Sequence, residues 1–191
     1  MRLILASASP ARLSTLQRAG LDPEVMVSGI DESAVDHTQA PEVAGRLAQL
    51  KCRAVHRRAE DAVVIGCDSV LEFDGQVFGK PAGASDAVRR WRLMRGRSGV
   101  LHTGHTVCLR DRELSRTAST VVHFADISDA EVDAYVRTGE PLHVAGAFTI
   151  DGFGGAFIDR IEGDPHNVVG ISLPLLRSML LELNISWPTL W

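Results

Sequence analysis

The order of hydrophobic and polar positions along the chain predicts a first strand, a tight loop and a helix near the N-terminus. Residues 3–5 are apolar, and residues 10–20 carry apolar side chains at helical spacing. Ser9 suits the N-cap of that helix, and Pro10 suits its first position. A helix N-terminus facing a loop presents free N–H groups, which favour an anion in the loop. Taken alone, the stretch favours a plain connection between strand and helix.

The following segments predict a second strand, a long helix, a buried strand and a hairpin. Residues 24–28 predict a short strand, and apolar positions at helical spacing predict a helix over 41–58. Residues 62–68 are almost wholly apolar until their final acid, which is typical of a buried central strand. The Asp74-Gly75 pair predicts a hairpin turn shortly after it.

Longer strands dominate the second half of the chain. The sequence predicts a helix over 85–95 that Ser85 caps, followed by strands over 100–110 and 114–124 that meet at Asp111-Arg112. A helix over 128–139 is predicted next, and it opens with a Ser128–Glu131 capping box. The last predicted elements are a glycine-rich, strand-like segment over 144–164 and a closing helix over 173–183. Early alternation followed by long antiparallel strands predicts an α/β fold. We expect a three-layer arrangement in which helices flank a mixed twisted sheet.

Length and composition limit the number of domains, the classes of partner and the cellular compartment of the protein. The length of 191 residues favours one domain over 1–191, and the net charge of −4 argues against nucleic-acid polymers and anionic membranes as partners. We expect no membrane span and no secretory signal, because the apolar runs are too short. The cysteines, Cys52, Cys67 and Cys108, are odd in number and widely spaced, which fits neither a zinc site nor a disulfide framework. This usage predicts a cytoplasmic protein.

The basic residues are strongly biased towards arginine. Of 20 basic residues, only Lys51 and Lys80 are lysine. A lysine that persists against such a bias can be there for its compact ammonium, which the planar fork of arginine does not replace. Chance survival is the equally weighted alternative.

Asp68 is the first candidate for chemistry, because an acid at the end of a buried strand is costly unless it serves a purpose. It is a candidate general base or metal ligand, and the alternative is an aspartate that caps the next turn. The segment that ends in Lys80 differs from a Walker A loop in glycine spacing and in the proline after the lysine. Lys80 and Asp68 could nevertheless face one cleft, because they lie at the two ends of the predicted hairpin.

Two further motifs carry no chemistry on their own. The GFGGAF segment at 152–157 lacks the third glycine and the helix of a dinucleotide fingerprint, so a tight turn between strands is the better interpretation. His102 and His105 would point to opposite faces of a strand, which excludes a shared zinc ion. The remaining inventory comprises three acids, two lysines, an arginine and a serine-lined loop, which suits phosphate chemistry with a divalent cation.

Several segments, taken in order, resemble the Maf-like proteins, which are nucleoside triphosphate pyrophosphatases related in fold to the inosine-triphosphatase (HAM1) group. They are LASASPARL, GIDES, LAQLKCRAV, GCDSV…GKP, TGHTV and AGAFTIDGFGGAFIDRIEGDPHNVVGISLPLL. The resemblance implies two lobes with a cleft and a metal-dependent attack of water on the α-phosphorus, which gives a monophosphate and pyrophosphate. It also implies a cytoplasmic homodimer that takes part in septum formation, cell division arrest and removal of unwanted nucleotides.

The resemblance also assigns roles to individual residues. It implies Asp68 as the catalytic acid or base with Lys80 beside it, Glu32 and Asp68 as ligands of Mg²⁺ or Mn²⁺, and Ser7, Ser9, Arg12, Lys51, Ser69 and Asp151 as substrate-binding residues. The two lysines of the chain fall on two positions of the family pattern, which favours function over chance survival.

Two positions depart from the family pattern. Many members carry a second arginine where this chain has Ala11, and carry glutamine or glutamate where it has Asp151. An acid accepts hydrogen bonds but donates none, so Asp151 suits the N–H edge of a guanine-like base. The hypotheses that stay open are a general pyrophosphatase, one selective for 7-methyl-GTP, and a nucleotide-binding regulator of septation with incidental turnover.

Overall fold

The computed structural model describes residues 1–32, 35 and 39–191, and its centre is a seven-stranded mixed sheet. The strands are β1 (Leu3–Leu5), β2 (Glu24–Val25), β3 (Val63–Phe73), β4 (Gln76–Phe78), β5 (Ser98–Leu109), β6 (Arg112–Phe124) and β7 (Ile158–Glu162). Their order is β2-β1-β3-β5-β6-β7, and β4 pairs with β3 off this path. β1 runs parallel to β2 and β3, whereas the other pairs are antiparallel.

Helices cover both faces of this sheet. They are α1 (Pro10–Arg18), α2 (Ala40–His56), α3 (Ala84–Met94), α4 (Asp129–Arg137), α5 (Pro165–Val169) and α6 (Leu173–Glu182). Alternate side chains of β1 face opposite layers, because Leu5 packs in the core formed with α6 and Ile4 packs in the core formed with α2. The predicted three-layer α/β arrangement is confirmed.

The long helix α2 lies close against the sheet because two strand positions are glycine. A Cβ atom on Gly66 would lie 2.4 Å from the carbonyl oxygen of Ala48, and one on Gly104 would lie 2.2 Å from that of Ala44. The close approach places the C-terminal half of α2 directly over β3.

A second core lies at the other end of the long strands. Its centre is Trp91 of α3, whose ring packs edge to face against Phe124, Tyr135 and Phe157 at centroid distances of 5.7, 5.5 and 6.0 Å. The first core lies around β1 and α6, so the sheet joins two lobes.

The lobes meet where β3 loses its neighbour on one side. β1 pairs with β3 only as far as Ile65, and β4 pairs with it only from Leu71. Among the described strands, residues 66–70 therefore have β5 on one side and no strand on the other. Of this stretch, Asp68, Ser69 and Val70 line the cavity between the lobes, whereas Cys67 is buried in the first core.

Local signals placed most of the helices and strands to within about two residues, and the main differences are the following. β3 runs on to Phe73 and does not end at Asp68, because β5 pairs with it along that whole length. The strand predicted over 24–28 covers only Glu24–Val25. The β5–β6 turn lies one residue earlier than predicted. Helix α3 has Gly83 as its N-cap, and it is Asp86, not Ser85, that accepts a backbone N–H there, from Ala82 at 3.1 Å.

The glycine-rich segment 144–164 is largely not a strand. It forms two short 3₁₀ turns, Ala145–Ala147 and Phe153–Phe157, before β7 begins. Gly146 adopts φ +70°, and the indole N–H of Trp91 donates to the carbonyl of Ala147 at 2.7 Å. Bonds from the second lobe thus replace the ladder that a strand would make.

Candidate active site

A cavity of about 1090 Å³ opens at the gap beside β3, between the two lobes. Its walls come from the β1–α1 loop, from α2, from the β3–β4 hairpin and from the segment around residue 150. The nine residues that the sequence singled out as site candidates all line it: Ser7, Ser9, Arg12, Glu32, Lys51, Asp68, Ser69, Lys80 and Asp151.

Two carboxylates converge on one ammonium in this cavity. Lys51 Nζ pairs with Asp68 Oδ1 and lies 2.7 Å from Glu32 Oε1. The Lys51 and Asp68 side chains are only 10% and 11% exposed, whereas that of Glu32 is 53% exposed. The lysine therefore neutralises a buried acid whose charge would otherwise be costly.

The β1–α1 loop is the serine-lined wall. The backbone N–H of Ser9 donates to Ser7 Oγ at 3.2 Å, and Ser9 Oγ in turn accepts the N–H of Arg12 at 3.4 Å. The predicted N-cap and the proline at the first helical turn are both confirmed. This arrangement aims the positive end of the α1 dipole at the cavity.

The buried guanidinium of Arg12 connects three parts of the site. It donates to the carbonyl of Gly170 at 2.8 Å, to Ser7 Oγ at 3.1 Å and to Ser69 Oγ at 3.0 Å. A guanidinium carries five N–H donors, so each of its two terminal nitrogens keeps one more N–H for a ligand.

A chain of hydroxyl groups continues from Ser69 into the sheet. Thr103 Oγ1 donates to the carbonyl of Asn167 at 3.0 Å and lies 2.9 Å from Ser69 Oγ. Because the single Thr103 proton goes to Asn167, Ser69 must donate to Thr103 and accept from Arg12. Thr103 is fully buried and was not predicted as a site residue, since its role depends on pairing with Ser69 across two strands.

Lys80 occupies the opposite wall, just after β4, and its side chain is exposed. The buried Arg90 holds the backbone there, donating to the carbonyl of Gly79 at 2.7 Å and to that of Lys80 at 3.4 Å. Arg90 pairs in turn with Asp86 at 2.7 Å and stacks over Phe78 at 4.8 Å. Sequence reasoning missed this support, because the contacts of Arg90 with the carbonyls of Gly79 and Lys80 join separate elements.

Asp151 lies on the loop between the two 3₁₀ turns and is exposed to the cavity. The adjoining Glu140, which the sequence did not mark, accepts hydrogen bonds from that loop. Its neighbour in the second core, Tyr135, has its pKa raised by burial and by the bond to Glu140.

Among the residues that the structure describes, His143 is the only histidine that lines the cavity, and no cysteine does. His102 and His105 lie on β5 and face opposite sides, as predicted; the first contacts Glu72, and the second accepts the N–H of Ser172 at 2.8 Å. Burial lowers the pKa of His105 to about 4, which keeps it neutral. Burial likewise raises the pKa of Cys67 to about 12. Neither side chain is poised as a nucleophile or base.

The described residues contain no cluster of three or more histidine, cysteine, aspartate or glutamate side chains that could hold a metal ion. None of the helices in that part of the chain combines the length and the apolar character that crossing a bilayer requires.

Comparisons with known proteins identify relatives of this chain. A nucleoside triphosphate pyrophosphatase of Salinispora tropica is 60% identical over 200 residues, which cover 100% of this chain and 88% of that protein. One of Streptomyces coelicolor is 55% identical over 194 residues, with 100% and 94% covered. The fold is similar to that of the Staphylococcus aureus Ham1 protein, with a TM-score of 0.53, 13% identity and coverage of 96% and 100%.

The sequence model of the Maf-like proteins matches residues 2–183, nearly the whole chain. The Ham1 likeness supports the inosine-triphosphatase-like fold alone, because its sequence identity is low. The family match and the two relatives together establish the family: the chain belongs to the Maf-like proteins.

Proposed function

We propose that this protein hydrolyses nucleoside triphosphates to a nucleoside monophosphate and pyrophosphate. The observation that carries the proposal is the convergence of Asp68 and Glu32 on one ammonium, in a cavity that also holds the α1 N-terminus and Lys80. The relatives described above carry the name of this activity.

Asp68 is the proposed base that takes a proton from the attacking water. β5 pairs with β3 at this position, opposite Gly104, so the carboxylate is held by a rigid element. The water oxygen would bond to the α-phosphorus while the bond to the bridging oxygen of the leaving pyrophosphate breaks. A positioned base of this kind contributes about 10²–10⁴-fold in rate.

Glu32 and Asp68 would hold a divalent cation, either Mg²⁺ or Mn²⁺. Their carboxylates fit it, because both reach the same ammonium and both offer the hard oxygen ligands that such ions prefer. Two carboxylates suffice for Mg²⁺, which commonly takes its other ligands from substrate phosphates and water. When bound, the ion would neutralise phosphate charge.

The remaining cations and hydroxyls would bind the phosphates. Arg12 keeps terminal N–H groups for the substrate, and the exposed ammonium of Lys80 can reach into the cavity from the opposite wall. Lys51, Ser7, Ser9 and Ser69 complete this set in the proposal. Their summed positive charge and N–H donors would stabilise the pyrophosphate as it leaves.

Asp151 is the proposed reader of the base. Its exposed carboxylate lines the cavity on the wall away from Arg12, and it accepts hydrogen bonds without donating any. That property favours a guanine-like edge, so selectivity for 7-methyl-GTP is the second candidate function.

The setting of the reaction is also part of the proposal. We place the enzyme in the cytoplasm as a homodimer that removes unwanted nucleotides and takes part in septum formation. The resemblance to the family supports this, as do three free cysteines, which suit a reducing compartment.

The test is pyrophosphate release with Mg²⁺ or Mn²⁺ from UTP, dTTP, CTP, GTP and 7-methyl-GTP. Asp68→Asn should abolish release, whereas Asp22→Asn, which changes a carboxylate outside the cavity, should leave it intact. Full activity of Asp68→Asn would show that Asp68 is not the base. Binding of triphosphates without release by the wild-type protein would favour the regulator of septation, and equal rates for UTP and 7-methyl-GTP would refute the selectivity.

A further inference from the structure

The carboxylate of Glu140 is the centre of the loop that carries Asp151. Glu140 Oε1 accepts hydrogen bonds from the Thr149 hydroxyl at 2.7 Å and from the Gly154 N–H at 2.9 Å. Glu140 Oε2 accepts the Phe153 N–H at 2.8 Å. The three donors lie on both sides of Asp151, so one side chain fixes both ends of the segment that presents it.

Two glycines of the GFGG motif make room for this arrangement. A Cβ atom on Gly152 would lie 2.1 Å from Glu140 Oε2, and one on Gly154 would lie 2.4 Å from the Tyr135 hydroxyl. The motif that looks like a plain tight turn is therefore a cradle for a carboxylate from elsewhere in the chain.

The second core holds the other side of Glu140. The hydroxyl of Tyr135 donates to Glu140 Oε1 at 2.9 Å, and its ring packs edge to face against Trp91 and Phe157, each at 5.5 Å. Burial acts to raise the pKa of Glu140, but the bonds from Thr149, Gly154 and Phe153 outweigh it and hold that pKa below its ordinary value. The acceptor thus stays ionised and in place.

We infer that Glu140 is a positioning residue for recognition of the base, because it sets where the Asp151 carboxylate stands in the cavity. The inference rests on the proposed function, in which Asp151 contacts the base. It predicts that removing the hydrogen bonds of Glu140 weakens the binding of the nucleoside monophosphate, which carries the base. The binding of pyrophosphate should stay unchanged.

Glu140→Gln is the sharpest perturbation, because it keeps the size of the side chain. Its amide group has one acceptor oxygen and an NH₂ group, so it cannot accept at both ends as the carboxylate does. Gly152→Ala reaches the same contact from the loop side, because its Cβ atom would displace Glu140 Oε2.

The matched control is Glu131→Gln on helix α4. Glu131 also accepts a backbone N–H and a hydroxyl, both from Ser128, at 2.7 and 2.8 Å, but it caps the far end of that helix. Its loss should affect stability and not the loop. Asp151→Asn is the reference variant, because it removes the carboxylate that is proposed to contact the base.

The assay is calorimetric titration of each protein with UMP, dTMP, CMP, GMP and 7-methyl-GMP, and separately with pyrophosphate. For the monophosphate that the wild type binds best, Glu140→Gln and Gly152→Ala should bind about tenfold or more weakly, the scale expected for a misplaced contact. Pyrophosphate binding should be unchanged in both variants. Hydrogen exchange at the Phe153 and Gly154 amides should quicken in Glu140→Gln.

Three results would overturn the inference. These are wild-type affinity for the monophosphate in Glu140→Gln, an equal loss in Glu131→Gln, and a wild type that binds none of the five monophosphates. Failure of the proposed function is seen separately, because it is the absence of pyrophosphate release from every triphosphate, whereas these titrations measure binding alone.

Discussion

Replacing Lys51 with methionine should destabilise the protein strongly, because Lys51 is the cation of a buried ion pair. The substitution removes the ammonium that pairs with Asp68 and lies 2.7 Å from Glu32. Asp68 is then left as a buried carboxylate without its cation, and breaking a buried pair from one side costs about 3–5 kcal/mol. We expect the lower end, about 3 kcal/mol, because water in the adjoining cavity can solvate the carboxylate in part.

The opposite change, Asp68→Asn, should cost about half as much. Lys51 then still has Glu32 as a partner, and the loss is that of one charged hydrogen bond, about 1.5 kcal/mol. The double variant Lys51→Met/Asp68→Asn contains neither charge, so its cost should fall short of the sum of the single variants by about 2 kcal/mol.

Urea unfolding at pH 7 measures these differences, with the slope of the transition checked for constancy. Lys80→Met is the matched control, because Lys80 lines the same cavity but its side chain is exposed. Its free energy of unfolding should stay within about 0.5 kcal/mol of wild type. The reasoning would be refuted by a Lys51→Met variant as stable as Lys80→Met, or by strictly additive costs in the double variant.

Further predictions concern the hydroxyl chain and the buried histidine. Thr103→Val should raise KM and lower stability by about 1–3 kcal/mol, because Ser69 loses its acceptor and a buried carbonyl loses its donor. The control is Thr106→Val, which should lower stability alone, since the Thr106 hydroxyl contacts Ser115 at 2.8 Å. His105 has its pKa lowered by burial from 6.5 to about 4. The neutral His105 is fully compatible with the fold above pH 6.5. As the pH falls from 6.5 towards 4, the unfolded chain takes up the proton first, so the free energy of unfolding falls by about 3 kcal/mol in all. Urea midpoints measured against pH should therefore fall less steeply in His105→Gln; equal slopes would contradict this.

The features that the sequence predicted best are those whose partners lie within a few residues. The N-cap at Ser9, the hairpin turn at Asp74-Gly75 and the capping box of Ser128 and Glu131 are all confirmed. Each depends on backbone groups two to four positions away, so a single stretch of sequence contains the whole interaction.

The features that could not be predicted join residues that are distant in the chain. Thr103 reaches the backbone of Asn167, and Arg12 reaches Ser69, across 64 and 57 positions. Even Glu140 and Gly154, 14 positions apart, meet only because the second core holds Tyr135 beside them. Such contacts follow from the sheet topology, which the local pattern does not specify.

The misjudged end of β3 has a physical cause of the same kind. An apolar run that stops at Asp68 indicates a strand end, because a buried acid inside a strand is normally excluded. Here the strand continues, since Lys51 from α2 neutralises the acid and β5 supplies the backbone pairing. A local rule fails at the residue on which the proposed chemistry depends, as is expected where function opposes stability.

The same contacts give a physical reason for one of the two lysines in a chain whose other basic residues are all arginine. Lys51 lies between two carboxylates in a site where its side chain is only 10% exposed, and a compact ammonium fits where a planar guanidinium would need more room. Lys80 is exposed, so no lack of room requires a compact ammonium there. The buried Arg90 beside it shows that a guanidinium fits in this region, where it donates to the carbonyls of Gly79 and Lys80. The steric argument therefore applies to Lys51 alone. For Lys80, the proposed function offers a reason: a point charge on a flexible stem would follow a departing phosphate group more readily than a bidentate fork would.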